Sequence, residues 1–347
     1  MAIFVAVSNL NDAWSVSDFI NATMLNYMKY DINSFKSRVR DLAHGVEREA
    51  LRTYADAKLA YSFHPIGLGS KLTHPYITTD YAESLMEFVT PAQKNHDATL
   101  KFLNDLHYMT YHHAPKEYIW PGSMPCLLPE DEYIDVADYG DSNVGKMKSI
   151  YRIGLGYRYG RSMQTIAGIH YNVSLPKCWV EQQRQSLAPN ESSITFYNNL
   201  YFHMIRNFRR HNWIISYFYG STPLVDESFL IDKKHNLVEL ASKSWGLPYA
   251  TSLRMGGLGY TSEAQNSISV CFNGIESYLK SVELARNTSY PPYEQIGVKV
   301  NGRYNQLTSN LLQIDNEFYS RIRPKRVRLP GENSLVALDN RGIEYLE

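Results

Sequence analysis

The sequence is short of cysteine: Cys126, Cys178 and Cys271 are the only three in 347 residues, widely spaced and in no C-x-x-C pair. An odd, scattered set argues against a disulfide framework or a zinc knuckle and is expected of reduced thiols in a cytoplasmic protein. The sequence also lacks an excess of either charge, with Lys+Arg 35 against Asp+Glu 35. A protein held to nucleic acid by counterion release carries a basic surplus, so general coating of nucleic acid is disfavoured and only a local basic patch stays open. No apolar run reaches 18 residues, so no membrane span is expected. The apolar opening MAIFVAV lacks a basic start and is not expected to be a secretory signal. No internal repeat at a solenoid period and no low-complexity tract is visible.

What the sequence does have is aromatic mass. It carries 27 Tyr, 13% aromatic and 44% hydrophobic residues, the composition of a folded protein with a sizeable core. Residues 1–40 read as weakly amphipathic helix without a chemical signature, and 1–35 are expected to be a separate N-terminal helical segment. Segments 45–53 and 83–90 read as strands, with Glu47 and Glu49 on one face of the first and Glu87 among apolar neighbours in the second. Residues 164–175 alternate clearly: Ala167, Ile169, Tyr171 and Val173 are expected to face the core, while Gly168, His170, Asn172 and Ser174 face something wet or liganded. Helices are expected near 95–112, at 194–211 with one apolar stripe, and from about 262 to 285. Strands and helices mix without regular βαβ alternation, which predicts an α+β fold with an antiparallel sheet.

Several segments invite a chemical reading. Residues 140–147, GDSNVGKM, match G-x-x-x-x-G-K, but Met147 stands where a magnesium-binding hydroxyl belongs and no buried strand precedes Gly140. A turn that places Tyr151 and Arg152 is the better expectation there. Glu47, Glu49, Asp80 and Glu87 are acids in apolar or patterned surroundings. Converging from different strands they would suit Mg²⁺, whereas spacing alone favours pairing with Arg48 and Arg52 or facing water. His170 lies mid-strand beside Asn172, and a lone strand histidine is more often structural than a ligand. Arg321, Arg323, Lys325, Arg326 and Arg328 place five cations in eight residues of a neutral protein, pointing to an anionic client or a solvated loop.

Taken in order, GVEREALR, LTHPYITTDYAESLMEFVTP, WPGSMPC, YGDSNVGKMKSIYRIGLGYRYG, MQTIAGIHYNVSLP, LPYATSLRMGGLGYT, LQIDNEFYSRIRPKR and GIEYLE resemble the proteobacterial type of glutamate–cysteine ligase. The resemblance runs from about residue 40 to the last residue. It implies a glutamine-synthetase-like α+β fold, in which a curved, mainly antiparallel sheet flanked by helices forms an active-site funnel, with 36–347 as the catalytic domain. It implies ATP-dependent joining of the γ-carboxylate of L-glutamate to L-cysteine through a γ-glutamyl phosphate, the first step of glutathione synthesis. The alternatives are a related ligase with another amine acceptor and an inactive binding fragment.

Carried over by position, the resemblance puts metal ligands at Glu47, Glu49, Asp80, Glu87, His170 and Glu347, for Mg²⁺ or Mn²⁺. It puts the cysteine pocket at Tyr151, Arg254, Tyr260 and Tyr319, with Arg152 beside it on substrate carboxylate or phosphate. Arg152 and Arg254 take catalytic roles, and Lys325 and Arg326 are the nucleotide-phosphate contacts. Family members continue beyond this point, with an arginine two residues after the position of Glu347 on the transferred phosphate. Glu347 is therefore expected to fray, with unpaired strand edges and exposed apolar surface around it. Partners are expected to be small molecules only, without nucleic acid or membrane, and the protein a monomer.

Overall fold

A computed structural model describes residues 32–258 and 263–347. The strands are β1 (Ala43–Thr53), β2 (Ile77–Thr79), β3 (Leu85–Val89), β4 (Tyr118–Ile119), β5 (Ile169–Ser174), β6 (Leu224–Asp226), β7 (Val238–Ala241), β8 (Ser244–Gly246), β9 (Lys299–Val300), β10 (Arg303–Tyr304), β11 (Pro324–Lys325) and β12 (Tyr345–Leu346). The helices are α1 (Ile32–Arg38), α2 (His96–His113), α3 (Asn143–Tyr159), α4 (Lys177–Leu187), α5 (Ser193–His211), α6 (Trp213–Tyr219), α7 (Glu263–Asn266), α8 (Ile275–Asn287), α9 (Pro291–Ile296) and α10 (Ser334–Arg341). Seven strands form the main sheet in the order β11-β12-β5-β1-β3-β2, with β4 added to β1, and every pairing is antiparallel. The architecture is α+β, as the sequence predicts.

Alternation along β1 builds the two faces of this sheet. Its pairing sets Glu49 opposite Glu87 and Leu51 opposite Leu85 on β3, and Glu47 opposite His170 on β5. Directly opposed residues share a face, so the acids and His170 line one side. The other side carries Ala50, Met86 and Phe88, which pack with Leu103 and Leu106 of α2. At the far end of the sheet Val173 and Leu346 join a larger core with Trp179 of α4, Tyr201 and Ile205 of α5, and Val282 of α8. A third core below the acids gathers Leu51, Leu85, Met124, Ile166 and Phe229.

Helix starts follow their caps. Asn95 accepts the amide of Ala98, Ser142 that of Gly145 and Ser192 that of Thr195, each at 3.1 Å. The 140–147 motif is thus a capped helix start, and Tyr151 and Arg152 sit two turns inside α3 rather than on a turn.

Two other expectations change, and a third falls mostly outside the described residues. The helix predicted from 262 to 285 is two, α7 and α8, separated by 267–274, where Ile268 and Val270 lie among serines and Gly274 caps α8. Of the N-terminal segment, α1 is helical and residues 1–31 lie outside the described part. The strand expected over 164–175 starts only at Ile169, after a 3-10 turn at Met163–Thr165, and half of its apolar face is open. Ala167 is buried and Val173 packs on the α5 core, but Ile169 is 68% and Tyr171 49% exposed. By their pairing with Arg48 and Val46 they belong to β5 at its join with β1.

Candidate active site

The acidic face of the sheet draws one or two side chains from each of five strands or their ends. Glu47 and Glu49 come from β1, Asp80 from the residue after β2, Glu87 from β3, His170 from β5 and Glu347 from the residue after β12. Glu47, His170 and Glu347 bring one ligand atom each within 4.8 Å of one another. His170 Nδ1 lies 3.2 Å from Glu47 Oε2 and 3.3 Å from Glu347 Oε1, and Asn172 Nδ2 donates to Glu47 Oε1 at 2.7 Å. Burial, the largest single influence, would raise Glu47, but the hydrogen bond from His170, the His170 charge and the hydrogen bond from Asn172 together outweigh it and hold the carboxyl below its usual range. Burial likewise works against charge on His170, and Glu47, Glu49 and Glu347 together still raise it.

Glu49, Asp80 and Glu87 form the other half of the cluster. Burial raises Glu49, and the Asp80 carboxylate adds to this. Burial also pushes Glu87 well above the carboxylate range, reinforced by Asp80, Glu49 and Glu47. The arginines that spacing offers as partners do not take that role. Arg48 Nη1 lies 2.9 Å from His107 Nε2, and Arg52 pairs with Glu117 at 2.5 Å, both on the opposite face. Carboxylates crowded closely enough to push Glu49 and Glu87 upward, together with one imidazole, are the donor chemistry of a hard divalent cation. The residues present fit Mg²⁺ or Mn²⁺.

Cations ring the acids. Arg323 and Lys325 of the β11 segment meet Glu347 at 2.9 and 2.7 Å, and the backbones of Arg323 and Glu347 exchange hydrogen bonds at 2.9 and 3.0 Å. Although burial works against it, Arg323, Lys325 and His170 hold the Glu347 carboxyl down at about 2. Glu347 is therefore locked into the ladder, not frayed. Arg326 lies 3.5 Å from Glu344 instead of reaching the acids. From α3, Arg152 Nε donates to the carbonyl of Asp80, and its guanidinium lies 4.5 Å over the ring of Tyr139. Lys148, one turn earlier, lies 5.0 Å over the same ring, and burial first, then Arg152, lowers its pKa. Lys148 escaped the sequence reading; the only signal was its i, i+4 spacing to Arg152, which means something only once the segment is known to be helical.

Arg254 lies over Gly168, where an added Cβ would fall 2.5 Å from Nη2, and 6.0 Å from the ring of Tyr319. The amide of Gly168 donates to Glu49 Oε2 at 2.6 Å, so one glycine joins the arginine to the acids. Arg254 and Tyr319 also border a cavity of 680 Å³ whose wall includes Arg209, Arg321, Phe272 and Phe318. Burial strongly raises the hydroxyl of Tyr151, with Glu317 adding to it. Tyr260 lies outside the described residues.

The sequence profile of the glutamate–cysteine ligase family matches residues 30–347. The chain is 47% identical over 309 residues to a glutamate–cysteine ligase of Pseudomonas putida, an alignment covering 89% of this chain and 59% of that protein. It is 46% identical to one from Alcanivorax borkumensis, at 88% and 59% coverage. Its fold superposes with a TM-score of 0.82 on a crystal structure of glutamate–cysteine ligase from Francisella tularensis in complex with AMP, at 37% identity and covering 88% of this chain and 60% of that one. A bifunctional glutathione synthetase from Pasteurella multocida follows at a TM-score of 0.68, 27% identity and 36% of that chain. The chain thus spans about three-fifths of the length of the curated relatives it matches.

Proposed function

The chain belongs to the glutamate–cysteine ligase family, and from that premise we propose that it joins the γ-carboxylate of L-glutamate to the amine of L-cysteine at the expense of ATP. The observation that supports this most directly is the convergence of Glu47, Glu49, Asp80, Glu87, His170 and Glu347 on one sheet face, ringed by cations.

A carboxylate does not accept an amine usefully in water, so the γ-carboxylate first takes the terminal phosphoryl group of ATP and ADP leaves. The amine of cysteine then attacks the acyl carbon, inorganic phosphate departs and the ammonium proton is lost. Glu47, Glu49, Asp80, Glu87, His170 and Glu347 would hold Mg²⁺, which when bound would supply charge neutralisation for the phosphates. Arg152 is placed beside Asp80 and Glu87, where it would neutralise the glutamyl carboxylate or the phosphate it becomes, and Lys148 faces the same acids. Lys325 and Arg326 are assigned to the nucleotide phosphates, with Lys325 the better placed of the two. Arg254 offers a fork for the α-carboxylate of the acceptor, and Tyr151, Tyr260 and Tyr319 are its walls. We place this reaction in the cytoplasm, carried out by a monomer, with residues 36–347 as its catalytic domain and 1–35 as a segment apart.

The test is phosphate release by the purified chain with Mg-ATP and glutamate, with and without cysteine. Cysteine-dependent release with γ-glutamylcysteine detected by mass is expected, and Glu87→Gln should abolish it while the circular dichroism stays native. An unchanged rate would remove Glu87 from the mechanism. The cavity beside Arg254 and Tyr319 favours one second reading, a ligase whose amine acceptor is bulkier than cysteine. Comparing cysteine, 2-aminobutyrate, serine, alanine and larger amino acids as acceptors separates the two.

A further inference from the structure

Arg158 and Glu317 form an ion pair at 3.1 Å with side chains 0% and 1% exposed, and the chemistry above uses neither. The hydrogen bonds around this pair stay within one neighbourhood. Glu317 Oε1 also accepts the hydroxyl of Tyr159 at 2.9 Å, and Oε2 accepts the amide of Gln313 at 2.5 Å. Arg158 donates to Gln306 Oε1 at 3.0 Å and to the carbonyl of Thr308 at 2.6 Å, and stacks 4.1 Å over Tyr293. A buried ion pair seldom adds stability over a well-packed apolar substitute, so its use is sought in what it fixes.

Two walls of the acceptor pocket hang from this carboxylate. Gln313 Nε2 donates to the carbonyl of Tyr151 at 3.2 Å, while the Gln313 backbone amide is the one bound by Glu317. Gln265 Nε2 donates to the carbonyl of Glu317 at 3.2 Å, and its Oε1 accepts the amide of Tyr319 at 3.3 Å. Tyr151 on α3 and Tyr319 on a loop more than 160 residues later therefore reach one residue through one glutamine each. Gly154 completes the contact: a Cβ there would overlap Oε1 of Gln313, so the amide lies flat on the backbone of α3 one turn past Tyr151.

We propose that Glu317, Gln313 and Gly154 are positioning residues that set the spacing of Tyr151 against Tyr319 and so govern recognition of the amine acceptor, without touching it. This rests on the ligase reading of the pocket. The brace reaches the acceptor walls, whereas the ligands on β1, β3 and β5 are fixed by the sheet, so its loss separates one substrate from the other two.

The experiment measures steady-state phosphate release for the wild-type chain, Gln313→Ala, Gly154→Ala and the double variant. Both substitutions leave the Arg158–Glu317 pair in place, which keeps the fold. The KM for cysteine is expected to rise about tenfold in each single variant, with the KM values for glutamate and ATP within about twofold and kcat little changed. The double variant should be no worse than either single one, because removing the Gln313 side chain also removes the overlap that a methyl group on Gly154 would create. Amide exchange of a peptide spanning 313–321 should quicken in both single variants. Equal losses for all three substrates, a fall in kcat alone, or unchanged kinetics and exchange overturn the proposal. A wild-type chain without cysteine-dependent release overturns it by a separate route, by removing the ligase reading itself.

Discussion

Gly168 has no side chain, and the guanidinium of Arg254 occupies the space where one would stand, with Cζ 2.8 Å from the position of a Cβ. A methyl group there forces the guanidinium off its seat, while the flexible stem of the arginine lets the fold survive. Gly168→Ala should therefore fold with a thermal midpoint near that of the wild type and bind the acceptor about tenfold more weakly, about 1.4 kcal/mol. Acceptor titration against the purified variant checks this, and unchanged affinity would take Arg254 off the acceptor carboxylate. The sequence shows Gly168 as one residue of an alternating strand but not the arginine above it, which arrives from 86 positions away. The acids were more legible. Period two alone puts Glu47 and Glu49 together, and the same rule puts Arg48 and Arg52 on the other face, so the pairing that spacing favours was geometrically closed. Which partners those arginines find instead, His107 and Glu117, depends on tertiary packing that no local pattern encodes.

Elements were read best where burial repeats along one stripe. Helix α5 follows its predicted bounds to within a residue, because a stripe and a serine cap agree. Strand β5 shows the converse, since alternation fixes which residues share a face but not whether anything covers it. Helix α2 does cover its part of the sheet, and there it carries a titratable group against β1. His107 meets Phe88 edge-on at 4.8 Å and lies 2.9 Å from Arg48 Nη1. Burial first, and then the Arg48 charge, lower its pKa from 6.5 to about 4. Between those values the folded chain binds fewer protons than the unfolded one, so the stabilisation is complete at neutral pH and is lost as pH falls from 6.5 towards 4. The denaturant midpoint should accordingly drop between about pH 7 and about pH 5. In His107→Gln, which can still accept from Arg48 but does not titrate, the drop should be smaller. Equal slopes for the two chains would assign the pH dependence to other groups.

At the scale of the whole molecule, the α+β class and the antiparallel sheet followed from the irregular order of strand and helix patterns. The strand order did not, because β5, β11 and β12 pair across the sheet from distant parts of the chain and two of them are only two residues long. That order has an energetic consequence. Ligand candidates from residue 47 to residue 347 meet on one face, where Glu49 and Glu87 stand directly opposite each other with Asp80 pressing on both. Without a cation this face opposes its own assembly, since like charges directly across a strand pair destabilise it. A divalent ion that binds the folded chain and not the unfolded one adds about 2.7 kcal/mol at a hundred times its dissociation constant. For a chain of this size that is a rise of several degrees in the thermal midpoint. Mg²⁺ should produce that rise and a chelator reverse it, even in the absence of ATP. The double variant Glu49→Gln, Glu87→Gln should melt higher than the wild type in chelator, because the repulsion is gone, and should lose the Mg²⁺ shift, because the ligands are gone. A variant that melts lower in chelator would mean that these carboxylates hold the sheet together by hydrogen bonds, and an equal Mg²⁺ shift in both chains would place the ion elsewhere.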